Sequence, residues 1–116
     1  MLFVVLQHDH PRGLHFDFML ETGDVLRTWA LAEEPTDGLA IDAEALPDHR
    51  RAYLEYEGPV SGDRGTVICW DRGEYELVAE SEGELIAALH GKKLQGTATL
   101  SHAGNERWQF TFRAGS

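Results

Sequence analysis

The sequence predicts an all-β protein: a compact closed or nearly closed β-barrel of about eight strands with one short helix, in a single domain over residues 1–116. Three observations lead there. Short segments alternate apolar and polar residues with the two-residue period of a strand. Clusters of Gly, Asp, Asn and Pro punctuate them at close spacing. The chain's 116 residues and 42% hydrophobic content suit one domain with one core. A two-sheet sandwich is the alternative the same pattern allows.

Residues 3–7 form the first strand and residues 14–20 the second, in which Leu14, Phe16, Phe18 and Leu20 share an apolar face. Thr22-Gly23-Asp24 makes a hairpin turn into a third strand over 25–31, and residues 33–37 with Gly38 form a loop. Residues 39–47 read as a short strand ending in a turn at Pro47. Residues 52–57 alternate again, and Gly58-Pro59 with the run 61–65 makes a loop. Residues 66–70 and 74–79 read as a hairpin around Asp71-Arg72-Gly73. The one helix falls on 82–90, with Ser81 as N-cap and Gly91 as its stop. Residues 94–100 and 107–112 close the barrel through a turn at 103–105.

The chemistry concentrates between His8 and Glu21. On the second strand His15, Asp17, Met19 and Glu21 share the face opposite the apolar one, so His15 and Asp17 stand close enough to hold one metal ion. If residues 3–8 pair antiparallel with this strand so that His8 lies opposite His15, His8 becomes a third ligand. A slip by one residue would turn it onto the packing face. A barrel would gather such groups on its concave interior. Two histidines and one carboxylate leave positions open for water or substrate, which suits a catalytic Mn²⁺, Fe²⁺ or Zn²⁺. The plainer arrangement is a His15–Asp17 hydrogen bond on a solvated strand, with the role of His10 open in either case.

A formal charge of −10 opposes binding nucleic acid through a broad basic surface, so any such contact is local. Arg12 lies inside the histidine motif, and Arg50 and Arg51 follow His49; these are either a phosphate-receiving group or ordinary solvated surface arginines. His49 and Tyr53 offer proton donors nearby, or simply end a strand. Cys69 is the sole cysteine, which excludes an intrachain disulfide and fits a buried thiol in a reducing cytoplasm. The apolar start, residues 1–6, is too short for a signal peptide or a membrane span.

Taken together, Phe3-Val4-Val5-Leu6-Gln7-His8-Asp9, Leu14-His15-Phe16-Asp17-Phe18-Met19-Leu20-Glu21, Val25-Leu26-Arg27-Thr28-Trp29-Ala30, Asp48-His49, Tyr53, Tyr56-Glu57-Gly58, Gly65-Thr66-Val67 and Trp70-Asp71-Arg72-Gly73 resemble the 3′-phosphoesterase domain associated with bacterial and archaeal DNA ligase D. The resemblance runs over nearly the whole chain. It implies a β-barrel holding Mn²⁺ or another divalent transition metal through His8, His15 and Asp17, with Glu21 and Asp9 supporting those ligands. It implies that His49 contacts the scissile phosphate and that Tyr53 assists. The implied activity is removal of a 3′-terminal ribonucleoside and then a 3′-phosphate from DNA 3′ ends or a primer–template, leaving a 3′-hydroxyl. Without ligase or polymerase regions, the chain is expected to act with separate ligase, polymerase and end-binding repair proteins.

The chain departs from the family pattern at three places. Met19 stands where most members carry an arginine, and Gly38 where they carry a second. One extra residue separates His8 from His15, and three precede His49. Metal binding survives these changes better than phosphate binding does. Two other functions fit the same residues: a metal-binding DNA-end-binding or scaffold module without turnover, and a small-molecule non-haem iron enzyme, which would consume oxygen.

Overall fold

The computed structural model describes residues 1–115. Its strands are β1 (Leu2–His10), β2 (Gly13–Thr22), β3 (Val25–Leu31), β4 (Ala40–Arg50), β5 (Gly58–Pro59), β6 (Thr66–Ser81), β7 (Glu84–Gly91), β8 (Gln95–Gly104) and β9 (Arg107–Ala114). Eight of them pair antiparallel in the order β1-β2-β3-β4-β9-β8-β7-β6, and β6 returns to pair with β1, closing a barrel. The two-residue β5 lies outside the ring against the start of β6. No helix of the described residues is long and apolar enough to cross a membrane.

The barrel encloses the main core, to which every strand of the ring contributes. Phe3 and Val5 of β1 face Phe16, Phe18 and Leu20 of β2 inside it. Phe18 sits at its centre, with ring centroids 6.3 Å from Phe3, 6.3 Å from Trp29 and 5.2 Å from Phe110. Burying such a ring contributes roughly 1.5–3 kcal/mol. Leu14, on the same face by parity, lies at the rim and is 51% exposed.

The opposite faces of β1 and β2 are also covered. Val4, Leu6, Met19, Leu26 and Val67 form a second cluster on the outer wall, roofed by Tyr53, Leu54 and Val60. The roof is the 3-10 turn Arg51–Leu54 and the segment after it. Residues 52–57 therefore do not form the expected strand. They have no strand partner in the described residues, and their apolar side chains cap the wall instead.

Three further expectations are corrected. The segment expected as a helix over 82–90 is strand β7, because Leu85, Ala87 and Leu89 recur every second residue into the core and the backbone pairs with β6 on one side and β8 on the other. Burial between two strands outweighs the helix propensity of Glu, Leu and Ala. The hairpin expected around residues 71–73 is absent. β6 runs through it, with an irregularity against β1 where Val5 pairs with Asp71 and Leu6 with Cys69. Asp71 is 3% exposed and accepts the backbone N–H groups of Lys92, Lys93 and Leu94 at 2.9, 3.2 and 2.8 Å, so its side chain holds the β7–β8 turn rather than making one of its own. Pro47 likewise ends nothing. β4 continues through a bulge in which Pro47 and Asp48 oppose Arg27, the setting in which a strand tolerates proline.

At the end of the barrel where β1 begins, Glu21 accepts the Leu2 N–H at 2.9 Å and pairs with Arg51. The Leu2 amide, aided by the Arg51 guanidinium and opposed by desolvation, holds the Glu21 carboxyl below its ordinary value of 4.5. A carboxyl depressed on folding adds stability that is present above its unfolded pKa and lost as pH falls through the folded one. Native protein and Glu21→Gln are therefore expected to differ in urea midpoint at pH 6 and to converge only as pH falls below 4.5 and on through the lowered folded value. A difference that stays constant down to pH 3 would sever this link.

Candidate metal centre

The outer wall, not the barrel interior, carries the histidine cluster, which corrects the expectation of a concave inner site. The β1–β2 register sets His8 opposite His15 and Leu6 opposite Asp17. Period-two alternation then places His8, His15 and Asp17 on the face of Leu6 and Met19, away from Phe16 and Phe18. His8 and Asp17 are buried, at 8% and 3% exposure, and His15 is half-buried.

Asp17 stands between the two imidazoles. His8 Nδ1 lies 2.8 Å from its Oδ2 and His15 Nε2 lies 3.0 Å from its Oδ1. Ligands in neighbouring positions around an ion about 2.1 Å from each stand roughly 3 Å apart, so the spacing is that of a coordination shell. All three side chains offer donor atoms within 4.8 Å of one another. His8 Nε2 approaches the Arg64 carbonyl at 2.6 Å. A carbonyl only accepts, so Nε2 carries the proton and Nδ1 is left to face Asp17. Metal-binding histidines typically donate their other ring N–H in this way.

The donors also fit a cation electrostatically. Asp17 Oδ1 is buried and makes no hydrogen bond; His15 is near enough to attract it but not aligned to donate. An orphaned buried carboxylate oxygen is costly unless a cation completes it. The Asp17 contact raises the His15 pKa above 6.5 against an opposing desolvation, with the Gly13 backbone and Glu44 adding to the rise. His10 shares the face, its ring 5.4 Å from His8 and 5.8 Å from His15. Its Nδ1 accepts the Arg12 backbone N–H at 3.0 Å, and desolvation followed by the neighbouring His8 and His15 lowers its pKa. That bond occupies the His10 lone pair and leaves it outside the ligand trio.

A cleft of about 1240 Å³ opens over these residues and extends across β3 and β4 to β9. His49, Tyr53, Arg12 and Arg50 line it. The β4 bulge is what brings His49 there: Leu46 faces Thr28 and His49 faces Leu26, both on the outer wall, although they are three residues apart. His49 Nδ1 donates to the Pro47 carbonyl at 2.8 Å, and its ring meets Tyr53 edge-on at 5.5 Å. Its Nε2 is thus the nitrogen free to act.

A family model described as the DNA ligase D 3′-phosphoesterase domain matches residues 6–102. The chain belongs to that family. Over 113 residues it is 34% identical to the multifunctional non-homologous end joining DNA repair protein LigD of Mycobacterium tuberculosis, covering 90% of this chain and 15% of that protein. A LigD of Mycolicibacterium smegmatis is 31% identical over 120 residues (90% of this chain, 16% of that one), and a LigD of Pseudomonas aeruginosa 35% identical over 104 residues (81% and 12%). The chain therefore spans less than a fifth of the length of these relatives.

Within this DNA ligase D phosphoesterase domain the remaining site candidates separate. Glu21 and Arg51 pair with each other at the opposite end of β1 and β2 from His8. Asp9 alternates onto the other face from His8 and is exposed at the rim. None of the three side chains joins the trio. Met19 is 1% exposed, packed on the outer wall beside Asp17 and touching the cleft. Gly38 lies in the β3–β4 connection with φ +79°, a backbone conformation that disfavours any side chain. Cys69 is half-buried rather than buried. Arg64 carries no sequence signal for this role, because its contact with His8 is made by a main-chain carbonyl that any residue carries. Glu44 and Asp42 also line the cleft, sharing the face of Leu46 by alternation along β4.

Proposed function

We propose that the chain is a divalent-metal-dependent DNA 3′-end-healing phosphoesterase of break repair by end joining, with Mn²⁺ as the expected ion. It would remove a 3′-terminal ribonucleoside and a 3′-phosphate to leave a 3′-hydroxyl that a polymerase and a ligase can use. The observation that carries this reading is the convergence of His8 Nδ1, His15 Nε2 and a buried Asp17 oxygen that makes no hydrogen bond, in an open cleft. Membership in the phosphoesterase family supplies the substrate class.

The chemistry supplied by a divalent ion between His8, His15 and Asp17 is Lewis-acid polarisation of the phosphoryl group and activation of water. The protein's own groups do the rest. The Arg64 carbonyl keeps His8 turned so that Nδ1 faces inward. The Pro47 carbonyl holds the His49 proton on Nδ1, so neutral His49 accepts at Nε2 and protonated His49 donates there, either to a phosphate oxygen or to the leaving oxygen. Tyr53 buttresses that ring, and Arg12 and Arg50 add positive charge to the cleft.

Turnover of a primer–template bearing one 3′-ribonucleotide or a 3′-phosphate tests the reading. Conversion to a 3′-hydroxyl is expected only with added Mn²⁺, and a loss of at least about 100-fold in His15→Ala. Tight Mn²⁺ binding with no conversion in the native chain would instead mark an end-binding module.

A further inference from the structure

The geometry points to Arg64 as the phosphate-anchoring residue of this cleft, an inference that rests on the phosphoesterase reading. Its main chain is fastened to the ligand trio through the 2.6 Å contact between its carbonyl and His8 Nε2. Arg64 is also one of the residues that line the same cleft, as is Ser61, to which its guanidinium is bonded. One residue thus touches His8 with its backbone while its guanidinium is held against another residue of the cleft wall.

The guanidinium is set in place before any anion arrives. Nε donates to the Ser61 carbonyl at 2.7 Å and Nη2 to Ser61 Oγ at 3.2 Å. Of the five N–H donors on an arginine, these contacts use two. They leave both Nη1 hydrogens and one on Nη2, the end-on pair that can receive two phosphate oxygens together. The turn beneath is rigid as well: the Val60 N–H donates to the Gly65 carbonyl at 2.8 Å, and Gly62, Asp63 and Gly65 hold φ values of +75°, +54° and +84°. Arg12, Arg50 and Arg107 also line the cleft, but none of their side chains makes a hydrogen bond or ion pair among the described residues. Arg64 therefore loses the least rotamer freedom on gripping an anion.

Charge points the same way. The chain carries 20 acidic residues against 10 basic ones, yet no carboxylate lies within ion-pair distance of Arg64 among those described. On the ligand strand itself, the position two residues beyond Asp17 is the apolar Met19, which cannot hold a phosphate. Among the described residues Arg64 is the one arginine whose main chain is hydrogen-bonded to a side chain of the trio.

Because the tie to His8 is a carbonyl, substituting the Arg64 side chain separates anion binding from metal binding. Calorimetric titration of inorganic phosphate into Mn²⁺-loaded protein is the test. Arg64→Ala is expected to weaken phosphate at least about tenfold and Arg64→Lys to recover part of the loss, with Mn²⁺ affinity within about twofold of native in both. Arg113→Ala, an exposed β9 position outside the cleft, controls for the general loss of one positive charge and is expected to weaken phosphate about threefold or less. Native phosphate affinity in Arg64→Ala, or an equal loss in Arg113→Ala, would overturn the assignment. A native chain that binds phosphate through Arg64 but converts no 3′ end would sink the phosphoesterase reading and leave the anchor standing.

Discussion

Asp17→Asn is expected to cost at least about 100-fold in Mn²⁺ affinity while leaving a folded barrel. The carboxylate lies between two imidazoles at 2.8 and 3.0 Å and is almost wholly buried, so removing its charge leaves two histidines with no anionic partner. Breaking a buried charged pair from one side typically costs about 3–5 kcal/mol, and each 1.4 kcal/mol is a decade in affinity. The variant has a second signature without metal. His15, raised by Asp17, contributes stability that is fully present below its unfolded pKa of about 6.5 and is lost as pH rises through its folded value. Metal must displace that proton, so native affinity should strengthen as pH climbs through the same window. In Asp17→Asn, the His15 titration followed by NMR should move down. Mn²⁺ affinity within a few-fold of native would remove Asp17 from the ligand set.

The clustering of His8, His15 and Asp17 was legible in the sequence because it depends on period-two alternation and one register, and the His8–His15 pairing is that register. The side of the wall was not. Phe16 and Phe18 point into the barrel, and nothing in the local pattern says that Met19 and Leu26 on the other side are roofed by Tyr53 and Leu54, tens of residues away. β7 was misread for a related reason: Leu85 to Leu89 is apolar on both faces, so neither period stands out, and only pairing with β6 and β8 decides. His49 was picked out by composition. Its arrival on the right wall depends on the bulge at Pro47, which looks in sequence like a strand's end.

Gly65→Ala should damage fold and site together. Gly65 holds φ +84°, and a Cβ there would sit 1.9 Å from the Asp9 carbonyl oxygen and 2.8 Å from its carbon. Those atoms belong to β1, which is paired on both sides and cannot give way. The 60–65 turn has to lift instead, taking the Arg64 carbonyl away from His8. Strain and clash together are expected to cost about 2–4 kcal/mol and some 10 °C in Tm. Loss of the carbonyl that orients His8 adds a fall of about 10–100-fold in Mn²⁺ affinity. Gly62→Ala gives the comparison, since its φ is +75° but only Arg64 Nε lies near, at 3.7 Å. It should lose about 1 kcal/mol and keep its metal affinity. Equal metal affinity in the two variants would show that the turn does not position His8.

The outward placement of the histidine cluster removes any ceiling on the size of what approaches it. The inside of the barrel is filled by Phe18 and its neighbours, and a site built there would admit only what fits between the strands. A site on the wall meets its visitor from one side, so a long, stiff polymer can present its terminus while the bulk of its length stays in solvent. The packing that holds the barrel closed and the residues that face the visitor are back to back on β1 and β2. Each set can therefore change with little disturbance to the other.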